Sequence, residues 1–287
     1  MSSHGPSADD VVAVADDVVA VADRVVAVAD RVVLVTGGTR GIGRRIAERY
    51  LADGATVVTC GRTAPNGSSE ASGTDPAFLA CDVRDPDAVD ALVSQIVSRY
   101  GRLDVVINNA GGTPEADAAT ASPRFSESII KLNLLAPLFV ATRANAQMQD
   151  QVAGGNPGGV IVNIASVSAV RPSPGTAAYG AAKAGLVSLT QSLAVEWAPA
   201  VRVVGVICGL IATELADLHY GSPETMARVE ATVPMGRMGT PDDVADACLF
   251  LSSPAASYVS GSCLTVHGAG EWPAFLTAVR GQGPAAP

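Results

Sequence analysis

From Val32 onward, short runs of β-branched residues alternate with longer stretches whose apolar positions recur at helical spacing. The strand candidates are Val32–Thr36, Thr56–Cys60, Phe78–Cys81, Val105–Asn108, Gly159–Ala165, Arg202–Ile207 and Cys263–Val266. Between them the pattern predicts helices over Gly41–Ala52, Asp85–Tyr100, Pro123–Gln151, Ala177–Ala198 and Pro241–Leu251. Strands alternating with helices imply crossover connections, hence an α/β fold with a parallel, doubly wound sheet of about seven strands. The runs VVLV, VVIN and VIVNIA are apolar on both faces and so need helices on both sides. One connection breaks the alternation: residues 63–76, TAPNGSSEASGTDP, are rich in Gly, Ser and Pro and read as a loop. Residues 277–287 read as a tail, frayed from Gly281.

Ahead of this pattern, Val11–Gly38 divides into four seven-residue units: VVAVADD, VVAVADR, VVAVADR and VVLVTGG. The last supplies the first strand. As strands the other three fit badly, because an odd repeat turns each side chain to the opposite face in successive copies. As a helix, Val11, Val14, Val18, Val21, Val25 and Val28 fall at a/d spacing. Three heptads are short, however, and valine is a mediocre helix former. A loosely ordered tandem copy of the strand leader and a helix both stay open. Residues 1–29 are therefore set apart from a single domain over 30–276.

Composition narrows the class. The chain has 287 residues, 48% hydrophobic and 16% charged, enough apolar matter for one sizeable core. Net charge is −9 and no Lys/Arg run occurs, which argues against a nucleic-acid groove. No run of about 18 uncharged apolar residues occurs, so no membrane span is expected. MSSHGPSADD lacks the basic-then-apolar order of a signal peptide. The five cysteines lack metal-ligand spacing and read as reduced thiols, implying a cytoplasmic protein with no metal.

The segment Thr36-Gly37-Gly38-Thr39-Arg40-Gly41-Ile42-Gly43 follows an apolar strand and opens a helix, the setting of a dinucleotide-binding turn. Gly37 permits a tight turn, Gly41 lets backbone approach a pyrophosphate, and Gly43 permits close helix–strand packing. The helix N-terminus adds amide donors and positive potential. Thr39, Arg40 and Ile42 belong to the same cofactor-binding turn.

The spacing TGxxxGxG differs from GxGxxG and resembles that of the short-chain dehydrogenase/reductase family, over roughly Asp30 to Gly270. The resemblance implies a single-domain Rossmann-type sheet close to that of 3-oxoacyl-acyl-carrier-protein reductases, and a nicotinamide cofactor. An NAD-preferring relative would carry Asp where Gly61 stands. Arg62 and Arg40 instead offer two guanidinium groups suited to a 2′-phosphate, with Thr63 beside them. NADP(H) is therefore favoured, with NAD(H) as the alternative. By the same resemblance Asp82, followed by Val83, meets the adenine edge. Asn109, Ala110 and Gly111 of the NNAG run line the cofactor.

Tyr179 and Lys183 lie four residues apart, on one helix face. A lysine cation beside a phenol should lower its pKa and make it a better proton donor near neutrality. Ser166, in NIASVS, precedes Tyr179 by 13 residues at a strand end and could stabilise an oxyanion; Ser168 is the competing choice. Asn133, in KLNLLAP, sits mid-helix, where Asn is a mediocre helix former. Together Asn133, Ser166, Tyr179 and Lys183 resemble the family's catalytic tetrad in order. In the family, the Asn bends its helix and holds a water that relays protons to the Lys. The Lys tunes the Tyr and grips the nicotinamide ribose. The activity implied is hydride transfer between the cofactor and a small-molecule ketone, 3-oxoacyl group or secondary alcohol.

The pattern departs from the family after the sixth strand. Val204 stands at a usual Asn and Cys208 at a usual Pro, while Gly209, Ile211 and Thr213 remain as cofactor contacts. Cys208 reads as a buried thiol. Residues 214–234 fill the place of a substrate lid, with His219 and Tyr220 as candidate substrate contacts. The segment from Pro234 to Pro241 resembles the family's PxGRxGxP, and His267 stands at a usual Asp. In the family the last strand and the helix before it meet a partner subunit, so the resemblance implies a homotetramer or homodimer. Two other readings stay open on this fold: a non-catalytic dinucleotide sensor or scaffold, and an epimerase or dehydratase.

Overall fold

The computed structural model describes residues 28–64, 75–214, 216 and 220–281. Its centre is a seven-stranded parallel sheet of β1 (Val32–Thr36), β2 (Thr56–Gly61), β3 (Ala77–Ala80), β4 (Val105–Asn108), β5 (Gly159–Ser166), β6 (Val201–Cys208) and β7 (Cys263–Val266). Strand order is β3-β2-β1-β4-β5-β6-β7, with every neighbouring pair parallel. Order reverses between β1 and β4, and the carboxyl ends of the strands at such a reversal are the usual place for a ligand.

Strand parity builds the two layers. Val33 and Val35 face one cluster, filled by Ile46, Tyr50, Val244 and Cys248 from α1 (Gly41–Ala52) and a helix over Pro241–Ser252. Val32 and Leu34 face the other, filled by Val89, Val93 and Ile96 of α2 (Pro86–Tyr100) and by Val140, Ala144 and Met148. Those last three lie on one continuous helical stretch, made of α3 (Pro123–Ile130), a π turn (Lys131–Leu135) and α4 (Ala136–Ala153). By length and composition this stretch could cross a membrane, but its apolar face packs on the sheet. The elements that follow are α5 (Ala177–Trp197), α6 (Pro223–Glu230), α7 (Pro241–Ser252) and α8 (Ala274–Arg280).

Several expectations need correction. The third strand runs one residue earlier than predicted, and β5 and β6 are each longer, because their ladder continues to the pair Ser166–Cys208. Losing proline at 208 supplies the amide that a continuing strand requires. The expected single helix over 123–151 is interrupted by the π turn. Helix α8 crosses the tail boundary drawn at 277.

At the other end, Val28 is fully buried in the same cluster as Val33 and Val35, so the domain begins before residue 30. The chain turns after it: Arg31 N–H donates to the Val28 carbonyl at 3.2 Å, and Asp30 takes a left-handed φ of 63°. The end of the third valine unit is thus a packed lead-in to β1. The earlier units, most of the 63–76 loop and His219 lie outside the described residues.

Candidate active site

The glycine turn takes the conformation its residues allow. Gly37 and Gly41 have φ of 63° and 56°, the left-handed region that glycine enters without strain. A Cβ on Gly43 would overlap the Gly37 carbonyl oxygen and the Asn109 side-chain nitrogen. Asn109 in turn donates to the Thr36 and Gly37 carbonyls at 3.0 and 3.2 Å. Thr36 Oγ1 accepts from the amides of Asn109 and Ala110, each at 3.0 Å. The NNAG run therefore braces the turn from the neighbouring strand. Arg40, the N-cap of α1, makes no side-chain cap bond. Amide donors, a glycine backbone and an uncapped helix start suit a pyrophosphate. The Gly41 amide donates to the Glu214 carboxylate at 2.7 Å, a contact across 173 residues that no local pattern announces.

Of the residues expected at the adenosine end of a dinucleotide, Arg40, Arg62 and Thr63 are all exposed. A Cβ on Gly61 would meet its nearest neighbours, Phe78 and Thr39, at 3.8 Å, so space does not exclude a larger residue there. Asp82 is engaged by Arg84, whose Nη2 lies 2.6 Å from Oδ2. That hydrogen-bonded cation holds the carboxyl down at about 2. Val83 is buried beside it. The sequence reading missed Arg84.

The four tetrad candidates converge beyond β4 and β5. The Tyr179 hydroxyl is hydrogen-bonded to Ser166. Ser166 Oγ also accepts from the Ser168 amide at 3.2 Å, whereas the Ser168 hydroxyl accepts from Ser173 at 3.0 Å. Of the two serines, Ser166 is the one that reaches the phenol. Lys183 is buried, donates to the Ile164 carbonyl at 2.7 Å, and lies 5.7 Å from the Tyr179 ring centroid. Asn133 is fully buried in the π turn. Its side chain donates to the Gly112 and Ile129 carbonyls, each at 3.0 Å, and accepts from the Gly112 amide at 2.9 Å. Gly111 lies between the two: a Cβ there would sit 2.7 Å from Asn133 Oδ1 and 3.3 Å from Lys183 Nζ.

The electrostatics differ from expectation. Burial pushes the Tyr179 phenol up to about 12; the Ser166 hydrogen bond opposes this, and Cys208 and Tyr220 add to it. Lys183 is not among the groups that lower it, and burial brings its own ammonium down to about 8. Desolvation is the largest influence on both groups. Burial also lifts Cys208 to about 12, which fits the expected inert thiol. Beneath the site, Asn108 donates to Asn163 and Asn163 to Thr190, each at 2.9 Å, a buried chain joining β4, β5 and α5. Neither Asn163 nor Thr190 was foreseen.

Ile211 and Thr213 follow β6. Ile211 forms a parallel bridge with Gly239 through the Leu210 carbonyl and the Ala212 amide, so its own peptide groups face away from Gly239. The packing that would admit no Cβ on Gly209 comes from His267. Arg237 of the PxGRxGxP run pairs with Asp243 at 2.7 and 2.9 Å, and Asp243 closes a capping box with Thr240 at the start of α7. This segment is a structural brace. Tyr220 is half-buried, and burial raises its phenol pKa.

The family model described as enoyl-(acyl carrier protein) reductase matches residues 37–269, from the glycine turn to the turn after β7. The chain belongs to the short-chain dehydrogenase/reductase family. It is 34% identical over 247 residues to a probable 2,4-dienoyl-CoA reductase of Bacillus subtilis, covering 83% of this chain and 95% of that one. It is 35% identical over 246 residues to 3beta-hydroxysteroid dehydrogenase 1 of Eggerthella lenta, covering 82% and 91%. Among solved structures, the ligand-free aldohexose dehydrogenase of Thermoplasma acidophilum superposes with a TM-score of 0.77 at 33% identity, covering 84% of this chain and 94% of that one. The protein is thus an oxidoreductase of a family that acts on CH–OH or carbonyl groups with NAD(P)(H).

Proposed function

We propose that this short-chain dehydrogenase/reductase interconverts a ketone or 3-oxoacyl group and a secondary alcohol, with NADP(H) as the preferred cofactor. The observation that carries the reading is a chain of neighbours: Ser166 meets Tyr179, Lys183 lies over the Tyr179 ring, and Asn133 and Lys183 flank Gly111. A bound nicotinamide supplies or accepts the hydride. Ser166 Oγ holds the substrate oxygen. The Tyr179 hydroxyl protonates that oxygen in reduction and takes the proton back in oxidation. With its pKa raised to about 12, Tyr179 is protonated at neutral pH, the form that reduction needs. Lys183 holds the ribose and Asn133 fixes the backbone at Gly112, so that protons leave along this side.

The preference for NADP(H) is supported by exposed Arg40 and Arg62 and by the absence of an acidic residue at Gly61. The family's assembly as a homotetramer or homodimer is supported here by exposed Phe250 on α7, Leu264 on β7 and Tyr258 on the connection between them. Five unpaired cysteines suit the cytoplasm.

The test is oxidation of NADPH and NADH across a panel of neutral ketones and 3-oxoacyl thioesters. Tyr179→Phe should lose about two to four orders of magnitude in kcat while still binding the dinucleotide. Full activity in that variant would overturn the mechanism, and a preference for NADH would overturn the arginine argument.

A further inference from the structure

The loop between Ser166 and Tyr179 is tied to the far end of the chain. The Arg171 amide donates to the Val167 carbonyl at 3.1 Å, closing a turn just after the serine. Its guanidinium pairs with the Glu271 carboxylate at 2.7 Å, with side chains 44% and 29% exposed. Glu271 follows a tight turn after β7, where Gly268, Ala269 and Gly270 all have positive φ. The next amide, Trp272, donates to the Thr232 carbonyl at 2.7 Å, behind helix α6 of the lid. The C-terminal segment is thus stitched to the catalytic loop on one side and to the lid on the other. Tyr220 joins the ring electrostatically. Its phenol interacts with Arg171 and Glu271, and it acts in turn on the Tyr179 phenol.

These contacts place a part-exposed ion pair between the C-terminal segment and the loop that joins Ser166 to Tyr179. An Arg–Glu pair offers hydrogen-bond donors and acceptors together with no net charge, which matches hydroxyl and carbonyl groups. An anionic group would find the cation already neutralised and a carboxylate beside it. Glu115 adds a second carboxylate at the other end of the loop, where a Cβ on Gly175 would lie 2.8 Å from its Oε1.

We propose that Arg171 and Glu271 determine substrate specificity, selecting carbonyl compounds whose remote end is uncharged and hydroxyl-bearing over those with an anionic remote end. This rests on the oxidoreductase reading above.

The test compares length-matched hydroxyketones and oxocarboxylates in the wild-type enzyme and in Glu271→Gln and Arg171→Gln. The wild type should favour the hydroxyketone in kcat/KM by about five- to tenfold. Glu271→Gln should free Arg171 and cancel that preference through KM, with kcat for a small unsubstituted ketone unchanged. Arg171→Gln should raise KM for both sets, most for the carboxylates. Unchanged KM ratios in both variants, or a wild-type preference for carboxylates, would overturn the proposal. Saturation-transfer NMR of the corresponding alcohols on Tyr179→Phe, loaded with dinucleotide, reads the same selection without turnover. A preference seen there, with no Tyr179-dependent reduction of any ketone, would sink the proposed ketone chemistry and leave the selectivity of the ion pair standing.

Discussion

The Gly41 amide and the Glu214 carboxylate share a 2.7 Å hydrogen bond at the start of α1. A carboxylate at a helix N-terminus is favourably placed against the helix dipole. The same amide belongs to the turn that a dinucleotide's pyrophosphate requires. Two anions cannot occupy one donor, so Glu214 should compete with a dinucleotide for this amide.

Removing the charge should therefore tighten dinucleotide binding. The contact is exposed, so its worth is about 1 kcal/mol, or roughly fivefold in Kd. Glu214→Gln should bind NADPH that much more tightly by calorimetry at low salt, and the gain should shrink at high salt as screening grows. Equal or weaker binding by the variant would show that the carboxylate does not compete.

The glycines of the turn should fail for different reasons. Gly41 has open space around its α-carbon, with the nearest groups 3.9 Å from a Cβ, but a left-handed φ of 56°. Gly41→Ala should cost about 1–2 kcal/mol through strain alone. Gly43 has no such φ, yet a Cβ there meets Gly37 and Asn109 directly. Gly43→Ala should cost about 1–3 kcal/mol and also displace the Asn109 brace, abolishing dinucleotide binding. Thermal melts with and without NADPH separate the cases: only Gly41→Ala should retain a ligand-induced rise in Tm.

The strands were legible because both their faces are buried; Val32 to Val35 alternate between two helix layers and so carry an unbroken apolar run. Their ends were less so, since the Ser166–Cys208 step is held by a ladder and not by side-chain type. Tyr179 and Lys183 were legible as neighbours from helical spacing, but their acidities were not. Those follow from desolvation, a property of packing that no spacing encodes. Contacts such as Gly41–Glu214 and Arg171–Glu271 join distant segments and leave no periodic trace.

Asn133 should behave as a structural as well as a catalytic residue. Its amide group satisfies the Gly112 amide and carbonyl and the Ile129 carbonyl. Asn133→Ala leaves several of these groups without a partner, at about 1–3 kcal/mol for a buried one. Both Tm and kcat should fall. Asn133→Asp restores the acceptor for Gly112 N–H but loses both donors, so it should recover little. A variant with normal Tm and low kcat would assign Asn133 to proton transfer alone.

Lys183 is the clearest case of stability given up for function. Burial lowers its pKa from 10.5 to about 8. Below pH 8 it is charged in both folded and unfolded chains, and the folded state bears the full penalty of a desolvated cation. Between about 8 and 10.5 the unfolded chain binds more protons, so this residue makes stability rise with pH; above that window the penalty is gone. The shift corresponds to about 3 kcal/mol at neutral pH, against about 1 kcal/mol for the hydrogen bond to the Ile164 carbonyl. Lys183→Met should therefore be inactive yet more stable at pH 7, with Tm higher by about 2–8 °C. The advantage should vanish near pH 10.5. A lower Tm at pH 7 would mean that Lys183, with its bond to Ile164, stabilises the sheet more than its burial costs.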